Sequence, residues 1–174
     1  MAAWSIRDAT CTRFPALVLG STILAACAGY SPGNLQPGTP IADVVARMGQ
    51  PTSEYRGPDG TRRVEFARGP FGKHTYMVDV NPQGQVIRWE QVLTEQNFFN
   101  LAVGMSEAEV LYNIGRPSEV LSIPRRQEQV WSYRYDTYER CIWFQINIDQ
   151  PTKKVTALGK GTDPKCGNGN FRMK

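Results

Sequence analysis

Gly104-Met105-Ser106-Glu107-Ala108-Glu109-Val110-Leu111-Tyr112-Asn113-Ile114-Gly115-Arg116-Pro117 decides the fold, because the chain writes it twice. Gly38-Thr39-Pro40-Ile41-Ala42-Asp43-Val44-Val45-Ala46-Arg47-Met48-Gly49-Gln50-Pro51 matches it at a constant offset of 66, pairing Gly38 with Gly104, Gly49 with Gly115 and Pro51 with Pro117. Self-similarity of this kind marks a repeated supersecondary unit. Each copy predicts a short helix with its punctuation. Ser106 and Glu109 form a Ser-x-x-Glu capping box. In the first copy Thr39 is the expected cap and Pro40 the expected first helical residue. Ile41, Val44, Val45 and Met48, and Val110, Leu111 and Ile114, recur at helical spacing. Gly49 and Gly115 sit where a left-handed C-terminal residue is wanted, and a proline two residues on blocks continuation.

Strands follow each helix. Trp131, Tyr133 and Tyr135 alternate with Ser132 and Arg134, and Phe144, Ile146 and Ile148 alternate with Trp143, Gln145 and Asn147. This period of two predicts strands, with a third from Val155 to Leu158 after the turn Asp149-Gln150-Pro151-Thr152. The first-copy counterparts are Val64 and Phe66, then Tyr76, Val78 and Val80, then Val86 to Trp89. Alternation implies an antiparallel sheet with helices on one face and solvent on the other. Thr94 to Leu101 reads as an extra helix opening the second copy. The expected fold class is therefore α+β, two tandem helix-plus-antiparallel-meander units. Residues 38–93 are the first unit, 94–160 the second and 161–174 a C-terminal tail.

The chain has 174 residues, 41% hydrophobic and 21% charged, which excludes a disordered, collagen-like or coiled-coil protein. A net charge of +4 is spread along the sequence, with no basic run longer than two residues, so a dedicated nucleic-acid binder is not expected. His74 is the single histidine. A multi-histidine metal site and a two-histidine acid–base site are thereby excluded.

Arg7 and Arg13 precede the apolar run from Phe14 to Ala26, the polarity order of a secretory signal. The run is too short for a transmembrane helix, which needs about 20 residues. It ends in Leu24-Ala25-Ala26-Cys27, which resembles the bacterial lipobox; the alternative is an ordinary secretory signal cut after an Ala-x-Ala-like site. The resemblance implies a signal peptide over 1–26, acylation of Cys27 and a Pro- and Gly-rich tether over 27–37. Three acyl chains at ~0.8 kcal/mol per methylene give on the order of 30 kcal/mol of anchorage. Ala28 follows the cysteine in place of the Asp that favours inner-membrane retention, which implies the periplasmic face of the outer membrane.

The lipobox, the Gly104–Val110 motif, the Ile114-Gly115-Arg116-Pro117 ending and the aromatic Trp131-Ser132-Tyr133 together resemble the BamE (SmpA/OmlA) outer-membrane lipoprotein family. A tandem pair of such units is also similar to the β-lactamase inhibitor protein, which shares the fold. Gly38-Thr39-Pro40 departs from the family's Gly-Met-Ser. The resemblance implies a non-catalytic accessory in outer-membrane protein assembly or envelope integrity, with barrel-assembly components or another envelope protein as partner and no cofactor. The alternative is a periplasmic inhibitor or binding module that docks an enzyme on an exposed sheet face.

Cys141 and Cys166 are the thiols left beyond Cys27. An oxidising compartment makes a disulfide their default state, closing a loop of about 25 residues worth roughly 3 kcal/mol; two separate reduced cysteines are the alternative. His74 reads as a solvated loop residue. Gly57-Pro58-Asp59-Gly60 and Gly69-Pro70-Phe71-Gly72 read as turns, the first between helix and strand and the second between strands. Arg62-Arg63 and Arg125-Arg126 read as solvated loops, with lipid phosphates as a second possibility. Met77, Asp79, Arg134, Trp143, Gln145 and Asn147 occupy the expected outer face. Met77, Arg134, Trp143 and Gln145 are the partner-binding candidates, because Trp and Arg are enriched at interface hot spots. Trp143 has a second reading as cover for its neighbouring strand or packing between the copies. No acid–base pair is found, so neither catalysis nor a metal site is expected.

Overall fold

The computed structural model describes residues 31–57, 60–68, 72–136 and 142–164. Cys27, Cys141 and Cys166 lie outside the described residues, so the acylation and disulfide expectations do too.

The chain is α+β, with two antiparallel four-stranded sheets and few helices. Helix α1 (Ile41–Met48) precedes β1 (Ser53–Arg56), β2 (Arg62–Arg68), β3 (His74–Val80) and β4 (Val86–Gln91). Helices α2 (Glu95–Phe99) and α3 (Glu107–Ile114) precede β5 (Glu119–Ile123), β6 (Glu128–Arg134), β7 (Ile142–Asp149) and β8 (Lys154–Thr162). Each sheet is ordered as the chain runs, β1-β2-β3-β4 and β5-β6-β7-β8. Among the described residues no helix is long and apolar enough to cross a membrane.

The two halves share a hydrogen-bond scheme. Gly38 N–H donates to the Val86 carbonyl and Gly104 N–H to the Val155 carbonyl, while the Val86 and Val155 amides donate back to Thr39 and Met105. The segment entering each helix is thus stitched to the last strand of its sheet. Both helices end on a glycine of positive φ, 81° at Gly49 and 77° at Gly115, a conformation that costs a Cβ-bearing residue. The Ser106–Glu109 capping box forms as expected. Thr39 does not cap α1: its hydroxyl donates to the Gln36 carbonyl, and Pro40 is itself the N-cap residue, without a side-chain cap bond.

Alternation decides which residues meet. Val64, Phe66, Val78, Val80 and Val86 line one face of the first sheet and pack on Val44 and Met48 of α1. Trp131, Tyr133, Tyr135, Phe144, Ile146, Ile148 and Val155 line one face of the second and pack on Val110 and Ile114 of α3. Phe98 of α2 stacks on Phe144 with ring centres 4.4 Å apart and meets Tyr135 edge-on. The face of the first sheet opposite α1 is covered as well. Met77 belongs to the same core as α3, and the Arg63 guanidinium lies 5.1 Å from the centre of the Tyr112 ring.

This corrects the expectation of helices on one face and solvent on the other. The first sheet is covered on both sides because α3, having filled the second sheet's inner face, still presents Tyr112 and its C-terminal turn to the first. Two strands went unanticipated: β1 and β5 turn each sheet into four strands, and Gly57–Gly60 lies between two strands, not between helix and strand. The last strand also continues through Gly159 and Gly161 to Thr162.

Removing Phe98 by Phe98→Ala is expected to cost about 3–5 kcal/mol in urea unfolding, the range for a buried aromatic. Ser106→Ala is expected to cost about 1 kcal/mol at neutral pH. The Ser106 backbone amide, and then its hydroxyl, hold the Glu109 carboxyl below the usual range. A lowered carboxylate pKa stabilises the fold above the unfolded value and stops doing so as pH falls through the folded one. The Ser106→Ala deficit should therefore narrow in acid; a deficit constant down to pH 2 would contradict the box's contribution.

Candidate functional site

The partner-binding candidates divide between two places. Arg134 and Trp143 are cross-strand partners in β6 and β7, on the face away from the core. Arg134 Nε donates to Asp163 Oδ2 at 2.5 Å, and its Nη2 donates to Asp163 Oδ1 at 3.2 Å and Glu119 Oε2 at 3.3 Å. The hydrogen bond to Asp163 dominates in raising the guanidinium's pKa. The same guanidinium lies 5.0 Å from the Trp143 ring centre, a cation–π contact. Gly161, opposite Trp143 in β8, leaves room for two side chains: a Cβ there would collide with Gln145 Oε1 and stand 3.1 Å from Trp143 Nε1. Trp143 ends 7% exposed and Arg134 4%. Gln145 is half-buried and donates to Ser132 Oγ at 3.1 Å.

These residues are therefore not the open docking surface expected of them. Arg134 and Trp143 are consumed by each other and by Asp163. Met77, 1% exposed, sits in the other place, between the first sheet and α3. The structure brings Arg134, Trp143 and Gln145 together on one sheet and leaves Met77 apart.

The junction around Met77 holds polar groups that alternation alone placed in solvent. Glu65 is fully buried. Its carboxylate accepts from the Tyr55 hydroxyl at 2.6 Å, the Thr52 hydroxyl at 3.0 Å and the Arg116 backbone N–H at 3.3 Å. Burial, then the bond to Glu65, pushes the Tyr55 phenol up. Burial likewise raises Tyr133, whose hydroxyl donates to the Gly115 carbonyl at 3.0 Å. Both phenols thus remain donors throughout the physiological range. A carboxylate bonded this way fastens the β1–β2 hairpin to the turn after α3.

Beside it, Arg63 pairs with Glu90 at 2.5 Å and Asp79 at 3.6 Å, and Arg88 pairs with Asp79 at 2.8 Å. With Asn97, Asn100 and Asn113 of α2, its end and α3, Arg63, Arg88 and Glu90 line a cleft of about 310 Å³. Two guanidiniums face two carboxylates, so the charge cancels within the chain. Arg63 Nε and Asp79 Oδ1 have no hydrogen-bond partner among the described residues. Arg62-Arg63 opens β2 and is no solvated loop; Arg125-Arg126 is exposed, in a short 3-10 turn (Pro124–Arg126). His74 is likewise the first residue of β3, with Nε2 2.8 Å from Asp136 Oδ2 and its ring stacked on Tyr76. The positions of Arg63 and Glu65 on the off-beat of β2 were legible; that helix α3 would cover them was not. No group of three His, Cys, Asp or Glu residues among the described residues is placed to hold a metal ion.

No protein-family model matches the chain, and no curated protein does. Three solved structures are similar at low identity. A Streptococcus mutans protein described as a "putative beta-lactamase inhibitor protein" is 11% identical over 77% of this chain and 89% of its own, with a TM-score of 0.31. A cysteine-rich secretory protein from Staphylococcus aureus is 15% identical over 74% of this chain and 45% of its own, with a TM-score of 0.27. An extracellular protein containing a SCP domain from Bacillus anthracis is 11% identical over 92% of this chain and 51% of its own, with a TM-score of 0.26. The chain thus spans about half the length of the last two.

Gly115→Ala separates packing from backbone strain at the junction. A Cβ on Gly115 would lie 3.0 Å from Glu65 Cδ, Met77 Cε and Thr75 Cγ2, whereas one on Gly104, also at positive φ, meets nothing within 4 Å. Gly104→Ala should cost about 1 kcal/mol from its backbone alone, and Gly115→Ala a further 1–3 kcal/mol, roughly, from overpacking. Equal losses on thermal unfolding would contradict the close approach. Trp143→Ala should lower stability by about 3–5 kcal/mol; a variant as stable as wild type would return Trp143 to the surface.

Proposed function

We propose that this chain is a lipid-anchored, non-catalytic protein-interaction module at the periplasmic face of the outer membrane, a BamE-like accessory to outer-membrane protein assembly or envelope integrity. The observation that carries the reading is Leu24-Ala25-Ala26-Cys27 at the end of a basic-then-apolar leader, the order a lipoprotein signal requires. The proposal includes two tandem helix-plus-meander units, 38–93 and 94–160. The matched helix motifs, and the recurrence of the Gly38–Val86 hydrogen bond as Gly104–Val155, support that division. Cys141 and Cys166 are joined in a disulfide on this reading.

Anchoring changes what a binding module needs from its surface. Held to a membrane beside its target, a domain meets it at an effective concentration set by its tether, so a modest contact suffices. A docking mode centred on Trp143 has little support, since that side chain is spent on Arg134.

Cys27→Ala is expected to abolish labelling by radioactive palmitate and to move the protein from the membrane fraction to the soluble one. Retention in the membrane with the label intact would overturn the anchor. A deletion strain should lose detergent resistance or barrel-protein levels and regain them with the wild-type chain; unchanged values of both would overturn the accessory role.

A further inference from the structure

The repeat runs further back than the helix motif. At the same offset of 66, Asn34-Leu35 falls on Asn100-Leu101. Leu35 is 7% exposed and Leu101 6%, each in the core of its own half. Thr39 N–H donates to the Gln36 carbonyl at 3.2 Å, as Met105 N–H does to the Ala102 carbonyl at 3.3 Å. Pro32 and its counterpart Phe98 are both buried. Residues 32–37 therefore take, in the first half, the place that the end of α2 and the loop after it take in the second.

Two side chains of the first half hold this segment down. Arg47 of α1 donates from Nη1 to the Pro32 carbonyl at 2.9 Å. Trp89 of β4 donates from Nε1 to the Leu35 carbonyl at 3.2 Å. The Leu35 side chain shares a core with Val44, Met48 and Val86. A stretch punctuated by Pro and Gly reads as a loop between elements, yet this one has a buried leucine and two engaged carbonyls.

We infer that residues 32–37 are a strap that moors the first half of the chain close against a lipid surface, with Arg47 and Trp89 as its clamps. The inference rests on the proposed acylation of Cys27. With the strap docked, five links of chain join Cys27 to Pro32, and at roughly 3.3–3.6 Å each they reach no further than about 18 Å. Freed back to Gly38, which is bonded to Val86, the chain would have eleven links and a reach of about 40 Å. The strap thus more than halves the span of the anchor and ties it to α1 and β4. A short span raises the effective concentration of a partner lying at the same membrane surface within that reach.

The test reads the tryptophan indole protons by NMR. In the soluble mature chain carrying Cys27→Ala, the Trp89 indole proton should exchange with water at least about tenfold more slowly than that of free tryptophan. Leu35→Ser should speed that exchange about tenfold and Arg47→Ala about threefold, since both loosen the strap without touching the indole. The Trp131 indole, bonded to Gln129, should hold its rate in both variants and so report that the fold is intact. In the acylated chain on lipid nanodiscs with a gadolinium-chelate headgroup lipid, the Trp89 indole should broaden most and those of Trp131 and Trp143 least. Exchange at Trp89 as fast as in free tryptophan, or unmoved by both substitutions, would overturn the strap. Equal broadening of the three indoles would overturn the mooring. A chain without palmitate on Cys27 would overturn the mooring together with the reading it rests on, and would show as a missing label with the Trp89 indole still protected.

Discussion

The turn at Gly115 is the constraint on which the rest of the molecule depends. Helix α3 ends there with its backbone against the first sheet: a Cβ on Gly115 would stand 3.0 Å from Glu65, Met77 and Thr75, so any side chain would crowd them. From the other side Tyr133 of the second sheet donates to the Gly115 carbonyl, while the next amide, that of Arg116, donates to Glu65. One residue thus joins a helix end and two sheets. A buried carboxylate is costly unless its lone pairs are used, and Glu65 has three donors. The equivalent turn at Gly49 is held differently. There Arg68 of the adjoining strand donates to the carbonyls of Met48 and Gln50, closing α1 onto its own sheet without reaching a second one.

That asymmetry explains which parts of the fold the sequence reveals. The helices are legible because caps, apolar spacing and terminal glycines are local signals, and all three agree over Ser106–Gly115. β6 and β7 are legible because aromatic and aliphatic residues alternate cleanly with polar ones. β1 and β5 are not: four or five residues at a sheet edge, exposed or half-exposed, leave no periodic pattern to read. Nor does alternation say what will cover a sheet's second face. Arg63, Glu65 and Asp79 are polar on the off-beat and look solvated, yet they are buried or half-buried because Tyr112 and the turn after α3 lie over them and supply partners.

The candidate site shows the same limit. Trp143 and Arg134 are large, interface-prone and on the polar side of a strand, which is a sound signal of docking only when nothing nearby competes. Asp163, the residue that follows β8 and 29 positions from Arg134, takes the guanidinium, and the guanidinium covers the indole. No spacing rule announces such a pairing. Exposed apolar side chains among the described residues include Leu121 on β5, Phe99 at the end of α2 and Val103 ahead of α3. On the function proposed above, a tethered chain would have use for modest surfaces of this sort; the buried polar junction holds the two sheets together.

Native-state hydrogen exchange tests that fixed relation most directly. If the Gly115 junction fuses the halves, the most protected amides of β2 and β3 and those of β6 and β7 open in a single global event with one free energy and one denaturant dependence. Separate free energies for the two sheets, with the first exchanging fully while the second stays closed, would contradict the claim that this turn makes one folding unit of both.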